Sequence, residues 1–103
     1  MYAAVVKLTI DTQRAPSAAA AFSNDILPRV KAVTGFVGGY WLDPVDGEGL
    51  GLVLFETAEQ AERVKPPRFS WSAPGVTILS VDVRRVAVAI RGSYRTTHLS
   101  AVP

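Results

Sequence analysis

The stretch that decides the fold is "GFVGGYWLDPVDGEGLGLVLFET", Gly35–Thr57, two apolar runs joined by a segment of Asp, Pro and Gly. In its second run, "EGLGLVLF" (48–55), Leu50, Leu52 and Leu54 alternate with Gly51, Val53 and Phe55. That period of two is a strand with both faces apolar, because successive side chains point to opposite sides. Val53 and Phe55 are assigned to the side that helices cover, which leaves the three leucines on a second side that also needs cover. Phe36–Leu42 reads as the preceding strand, Leu50–Glu56 as the following one, and "DPVDGEG" as a hairpin connection several residues long.

Toward the N-terminus, "YAAVVKLTI" (Tyr2–Ile10) is rich in β-branched residues and is stopped by "DTQRAP", a strand and then a turn. From Pro16 to Val33 the period changes: Phe22, Ile26, Val30 and Val33 recur at helical spacing, and Ala18–Ala21 supply propensity. Pro28 cannot donate to the carbonyl of Asn24, so a kink is expected there, and Gly35 is suited to the left-handed cap. Toward the C-terminus, Thr57 and Gln60 form a capping-box pattern, so "AEQAERV" reads as a short helix ended by Pro66-Pro67. "KPPRFSWSAPG" (Lys65–Gly75) is a proline-rich loop with two large aromatics, Phe69 and Trp71. Val76–Ile90 returns to strand character, with Leu79, Val81 and Val83 in one phase and Val86, Val88 and Ile90 in the other. The slip falls at Arg84-Arg85, which indicates a bulge or two consecutive strands.

The order β-α-β-β-α-β with an extra C-terminal strand is that of a ferredoxin-like α+β sandwich, two helices on one face of an antiparallel sheet. Residues 1–92 form this domain and residues 93–103 a polar tail carrying His98. The face of Leu50, Leu52 and Leu54, with partners from Tyr2, Ala4, Val6, Leu8 and Ile10 or their alternates, is a larger apolar patch than monomers tolerate. A second copy covers it most simply. Two such sheets packed across a two-fold axis give a homodimeric barrel, with the chain after Arg84-Arg85 free to cross to the partner.

Bulk properties exclude several classes. A chain of 103 residues, 49% hydrophobic, builds one core. The formal net charge of +2 implies no polyanionic partner, and the absence of cysteine excludes disulfides, thiolate catalysis and cysteine-held metal. The N-terminus has no basic n-region, and no segment reaches the ~20 apolar residues of a membrane span, so a soluble cytoplasmic protein is expected. Residues 48–55 do overlay the octapeptide of an RNA-recognition strand, but Glu48 replaces the basic residue and leucines replace the stacking aromatics. Leucine has no π-face, so nucleic acid is not expected as a partner.

The element order, the junctions "VTGFVGGYWL" and "LGLVLFETAEQAE", and "PGVTILSVDV" together resemble the dimeric α+β barrel superfamily, in particular small antibiotic-biosynthesis-monooxygenase-like proteins, over roughly residues 2 to 90. The resemblance implies a homodimer that binds a small apolar or aromatic molecule, with cofactor-independent monooxygenase-like chemistry as the inherited activity. Members that oxidise aromatic substrates or degrade haem tend to line one pocket with an Asn, a Trp and a His or Arg. Here the one Asn, Asn24, falls in the first helix and the one His, His98, in the tail, so no catalytic residue is carried over. No cofactor and no metal site is expected. The ligand-binding candidates are Trp71 and Phe69 in the loop, either a pocket lid or a plug of the open end of the sandwich, Trp41 and Tyr40 on the second strand, and Lys7, Asp82 and Arg84 as polar positions in apolar strands, with Ser80 beside them. Because Trp41 and Tyr40 are neighbours in a strand, at most one of them faces the helices. The alternative is a non-catalytic homodimeric structural or ligand-sensing module whose interior is filled by its own side chains.

Overall fold

The computed structural model describes residues 1–90 of the chain. Its strands are β1 (Tyr2–Ile10), β2 (Phe36–Val45), β3 (Glu48–Phe55) and β4 (Val76–Arg85), in one antiparallel sheet of order β2-β3-β1-β4. Between β1 and β2 the chain runs through a 3-10 turn (Thr12–Arg14), α1 (Ala15–Ala21), a π turn (Phe22–Ile26) and α2 (Leu27–Lys31); α3 (Ala58–Glu62) links β3 to the proline-rich loop. This is the ferredoxin-like α+β arrangement, with the helices on one face of the sheet.

Local sequence accounts for each boundary. Asp11 caps the first turn by accepting from the Gln13 N–H at 3.0 Å. The kink expected at Pro28 takes the form of the π turn: the Leu27 N–H donates five residues back to the Phe22 carbonyl. That wider turn precedes a residue with no N–H to donate, and such turns occur where an α-helix must absorb an interruption. Gly35 at φ +86° ends the helical segment. A Cβ there would collide with the Gln60 side chain, whose Oε1 accepts from the Thr57 N–H at 3.1 Å while the Gln60 N–H donates to Thr57 Oγ1 at 3.2 Å. The capping box thus also packs the helix–strand junction.

Three boundaries differ from expectation. The hairpin is tighter, because β2 continues to Val45 and β3 begins at Glu48, leaving the two-residue turn Asp46-Gly47 with φ +52° and +78°. Both positive angles are those of the mirror-image turn that matches strand twist. β2 absorbs Pro44 because it is an edge strand, and a register shift between Leu42 and Val45 falls at that proline. The irregularity in β4 lies at Leu79, not at Arg84-Arg85: Lys7 pairs with Ser80 and Leu8 with Ile78. Leu79 is the extra residue, 58% exposed, while Ile78 joins Val81 and Val83 against the core. Finally, β4 ends at Arg85, and residues 86–90 take no regular structure, so the extra strand is not formed within the subunit. The polar tail and His98 lie outside the described residues.

The core lies between the sheet and the helices: Ala4, Val6 and Leu8 of β1, Val53 and Phe55 of β3, and Ile26, Val30, Ala61 and Val64. Tyr2 and Ile10 join them, so Ala3, Val5, Lys7 and Thr9 are the β1 residues that accompany the leucines on the other face. No helix among the described residues is long and apolar enough to cross a membrane.

Candidate ligand sites

The helix-side face is built around two glycines of β3. Trp41 pairs with Gly51, and a Cβ at Gly51 would lie inside the indole; Gly49 likewise yields to Leu8, at 2.8 Å from its Cδ1. These glycines therefore create room for side chains of neighbouring strands. Lying over Gly51, Trp41 meets Phe22 edge-on at 5.0 Å and Trp71 at 5.7 Å, and Trp71 meets Phe69 at 4.7 Å between ring centroids. Four aromatics from the π turn, β2 and the loop thus form one cluster.

The loop aromatics are interior residues. Trp71 is 3% exposed and its Nε1–H donates to the Val64 carbonyl at 2.8 Å; Phe69 is 8% exposed. Of the two readings of these aromatics, burial fits the plug: proline and serine make the segment look like a surface loop, but its rings close the end of the core. From outside, Arg29 holds the loop to α2. Its Nη2 donates to the Ser70 carbonyl at 2.9 Å, its Nε pairs with Asp25 at 3.1 Å, and its guanidinium lies 4.8 Å from the centre of the Phe69 ring.

Two spaces flank this cluster. A cleft of about 660 Å³, open to solvent, runs between the loop at Pro66, Pro67 and 69–72 and the outer edge of β4 at Val76–Val81. A smaller gap of about 180 Å³, half open to solvent, lies between α2 and β2 over the exposed Gly39, lined by Leu27, Val30, Phe36, Trp41 and Val53 with Lys31 at its rim.

The opposite face of the sheet is divided lengthwise. Tyr40 pairs with Leu52 and Leu42 with Leu50, while Val5 pairs with Leu52 and Ala3 with Leu54, giving a continuous apolar half. Leu50 and Leu52 are each 37% exposed, Leu42 58% and Tyr40 62%. Beside it runs a polar column: Lys7 opposite Ser80, then Asp82 and Arg84 along β4. The candidates gathered by polarity and aromaticity therefore separate. Trp41, Phe69 and Trp71 are on the helix side; Tyr40, Lys7, Asp82 and Arg84 are on the open side with Leu50, Leu52 and Leu54. The sheet lies between the two groups, so they do not form one pocket. Arg29 was not anticipated, since its contacts to the loop span 41 positions and leave no local signal. The gap at Gly39 did leave one, the glycine pair inside a strand.

No protein-family model matches the chain, and no curated protein matches it in sequence. Among solved structures, it is similar to a crystal structure of a point mutant of MhuD with two manganese protoporphyrin IX molecules bound per active site. The similarity covers 89% of this chain and 100% of the other, with a TM-score of 0.62 and 17% sequence identity. At that identity the likeness concerns the fold. The ferredoxin-like α+β fold expected from the sequence is the fold the two chains share.

Proposed function

We propose that the protein is a homodimeric binder of a small apolar or aromatic molecule, its two sheets packed face to face and its ligand taken up in the cleft between the proline-rich loop and β4. The observation that carries the binding reading is that cleft of about 660 Å³, within the range of about 300–1,000 Å³ typical of small-molecule sites. Prolines and buried rings make its loop wall rigid, and Ser70, Ser72 and Ser80 supply hydroxyls along it.

The dimer is supported by the open face. Its apolar half exposes Leu42, Leu50 and Leu52 together, and Val88 and Ile90 beyond β4 are 75% and 91% exposed in the subunit. Its polar column carries both signs, so a two-fold contact can set the Asp82 of one copy against a cation of the other. Leu52→Lys is expected to give a monomer that is less stable or aggregates, as read by sedimentation velocity, because a charge would enter the sheet-to-sheet contact. A wild-type monomer at micromolar concentration would end the proposal.

A porphyrin does not suit the helix-side interior of this chain. Phe22, Trp41, Phe69 and Trp71 fill it, the remaining gap is about 180 Å³, and the described residues include neither His nor Cys to ligate iron. Monooxygenase-like chemistry takes its support from the fold likeness alone. The non-catalytic alternative has a specific observation in its favour: within the subunit no buried residue among those described is polar or charged, so an acid or base in dry surroundings would have to come from the sheet-to-sheet contact.

The cleft is tested with naphthalene, followed by tryptophan fluorescence. Saturable quenching is expected at one molecule per subunit, weakened at least ~10-fold, or ~1.4 kcal/mol, by Ser72→Trp, which fills the cleft from its exposed rim. An unchanged affinity in that variant would remove the cleft from the function.

A further inference from the structure

We infer that the charged column of the open face is a self-recognition element. It takes a second copy of this chain turned so that β4 lies over β4, with Asp82 of each copy against a cation of the other. The inference rests on the dimer proposed above and fixes its orientation. Register makes the column. Arg84 stands level with Ala3, Asp82 with Val5 and Ser80 with Lys7, so the charges run plus, minus, plus along β4 and its neighbour β1. All three charged residues are exposed within the subunit. The ion pairs among the described residues are Arg29 with Asp25, Arg63 with Glu59 and Lys65 with Glu62, in or beside the helices, so none of them engages the column. Glu48 shares this face but stands at the hairpin end of β3, beyond the leucines.

Two copies bring the same face together about a two-fold axis that runs either along the strands or across them. An axis along the strands sets β4 over β2, so Asp82 and Arg84 would face Tyr40 and Leu42 and lose water with no partner in return. An axis across the strands sets each strand over its own counterpart. The leucines of β3 then meet leucines, and the two columns meet running in opposite directions. Because the signs alternate, a centre of symmetry on either side of Asp82 puts that carboxylate opposite a cation in both halves of the contact. The cation is Arg84 when the centre lies toward Ala3, and Lys7 when it lies toward Ser80. A column of one sign would repel its own copy in this arrangement, and an uncharged one would accept any apolar surface. The alternation therefore suits a copy of itself.

The full chain is prepared with Asp82→Lys, which makes the column all positive, and with Lys7→Glu and Arg84→Glu together, which makes it all negative. Both are studied in salt of about 150 mM, where screening beyond ~8 Å removes any attraction between columns held at opposite edges of the sandwich. Each variant alone is expected to dimerise at least ~10-fold more weakly than wild type by sedimentation velocity, and an equal mixture to recover the wild-type midpoint. Native mass spectrometry of that mixture should show heterodimer well above the roughly one-half that random pairing of two chains gives. Asp82→Asn deletes the attraction without adding repulsion; it should fall between, and it serves if a charge-reversed variant does not fold. The inference is overturned if a folded variant dimerises at the wild-type midpoint, or if the mixture pairs at random. A monomeric wild type removes the dimer itself, whereas a wild-type dimer with random mixing removes only this orientation.

Discussion

Gly51→Val is expected to lower the unfolding free energy by about 3 kcal/mol, or to prevent folding, although strand propensity alone predicts a gain of up to ~1 kcal/mol. The sign is decided by space. Gly51 is a buried strand residue beneath the six-membered ring of Trp41, and the new Cβ would occupy the position of that ring. Phe22 and Trp71 stand against the indole at 5.0 and 5.7 Å, so it can retreat only toward the gap at Gly39, by giving up those contacts. The two positions should therefore couple. Trp41→Ala alone removes a packed ring at a cost of about 3–5 kcal/mol, but in its presence Gly51→Val should be close to neutral or stabilising. Urea unfolding of the four proteins of this cycle measures the coupling, and strict additivity would show that the ring has somewhere else to go.

Trp71→Ala should cost about 3–5 kcal/mol, the scale of deleting a buried aromatic, and Trp71→Phe about 1 kcal/mol. The difference separates packing from hydrogen bonding. Phenylalanine retains a ring beside Phe69 and Trp41 but cannot donate to the Val64 carbonyl, which the indole reaches at 2.8 Å. Differential scanning calorimetry supplies both values. If Trp71→Ala left stability within ~0.5 kcal/mol of wild type, the residue would be a loop ornament after all and the cluster would not be continuous.

The same residues show how much could be read from the chain alone. The order of elements was legible because each carries its own period or stop: Leu50, Leu52 and Leu54 against Val53 and Phe55 in β3, Thr57 with Gln60 before α3, and Gly35 after α2. What was not legible depends on partners distant in sequence. Alternation reveals that a strand changes phase but not where, so the bulge at Leu79 emerges only from the pairing of Lys7 with Ser80 and Leu8 with Ile78. Asp43-Pro44 reads as the start of a turn until β2 is known to be an edge strand. Phe69 and Trp71 sit in a segment whose composition indicates exposure, and their burial is owed to Val64, Trp41 and Phe22. For the candidate site, polarity and aromaticity selected residues whose side chains belong to opposite faces. Register separates Trp41 from Tyr40, and with them the interior from the open side.

Both outer strands of the sheet are irregular: β2 is offset from β3 after Phe36 and again near Pro44, and β4 is offset from β1 at Leu79. A regular edge offers an evenly spaced row of donors and acceptors to which further copies can be added without limit. Here those rows are broken, so in-plane growth is disfavoured, whereas the leucine face can be satisfied by one reciprocal contact that then leaves nothing to extend. On the proposed dimer, assembly would terminate at two copies, with the bulges that distort the sheet working against a filament.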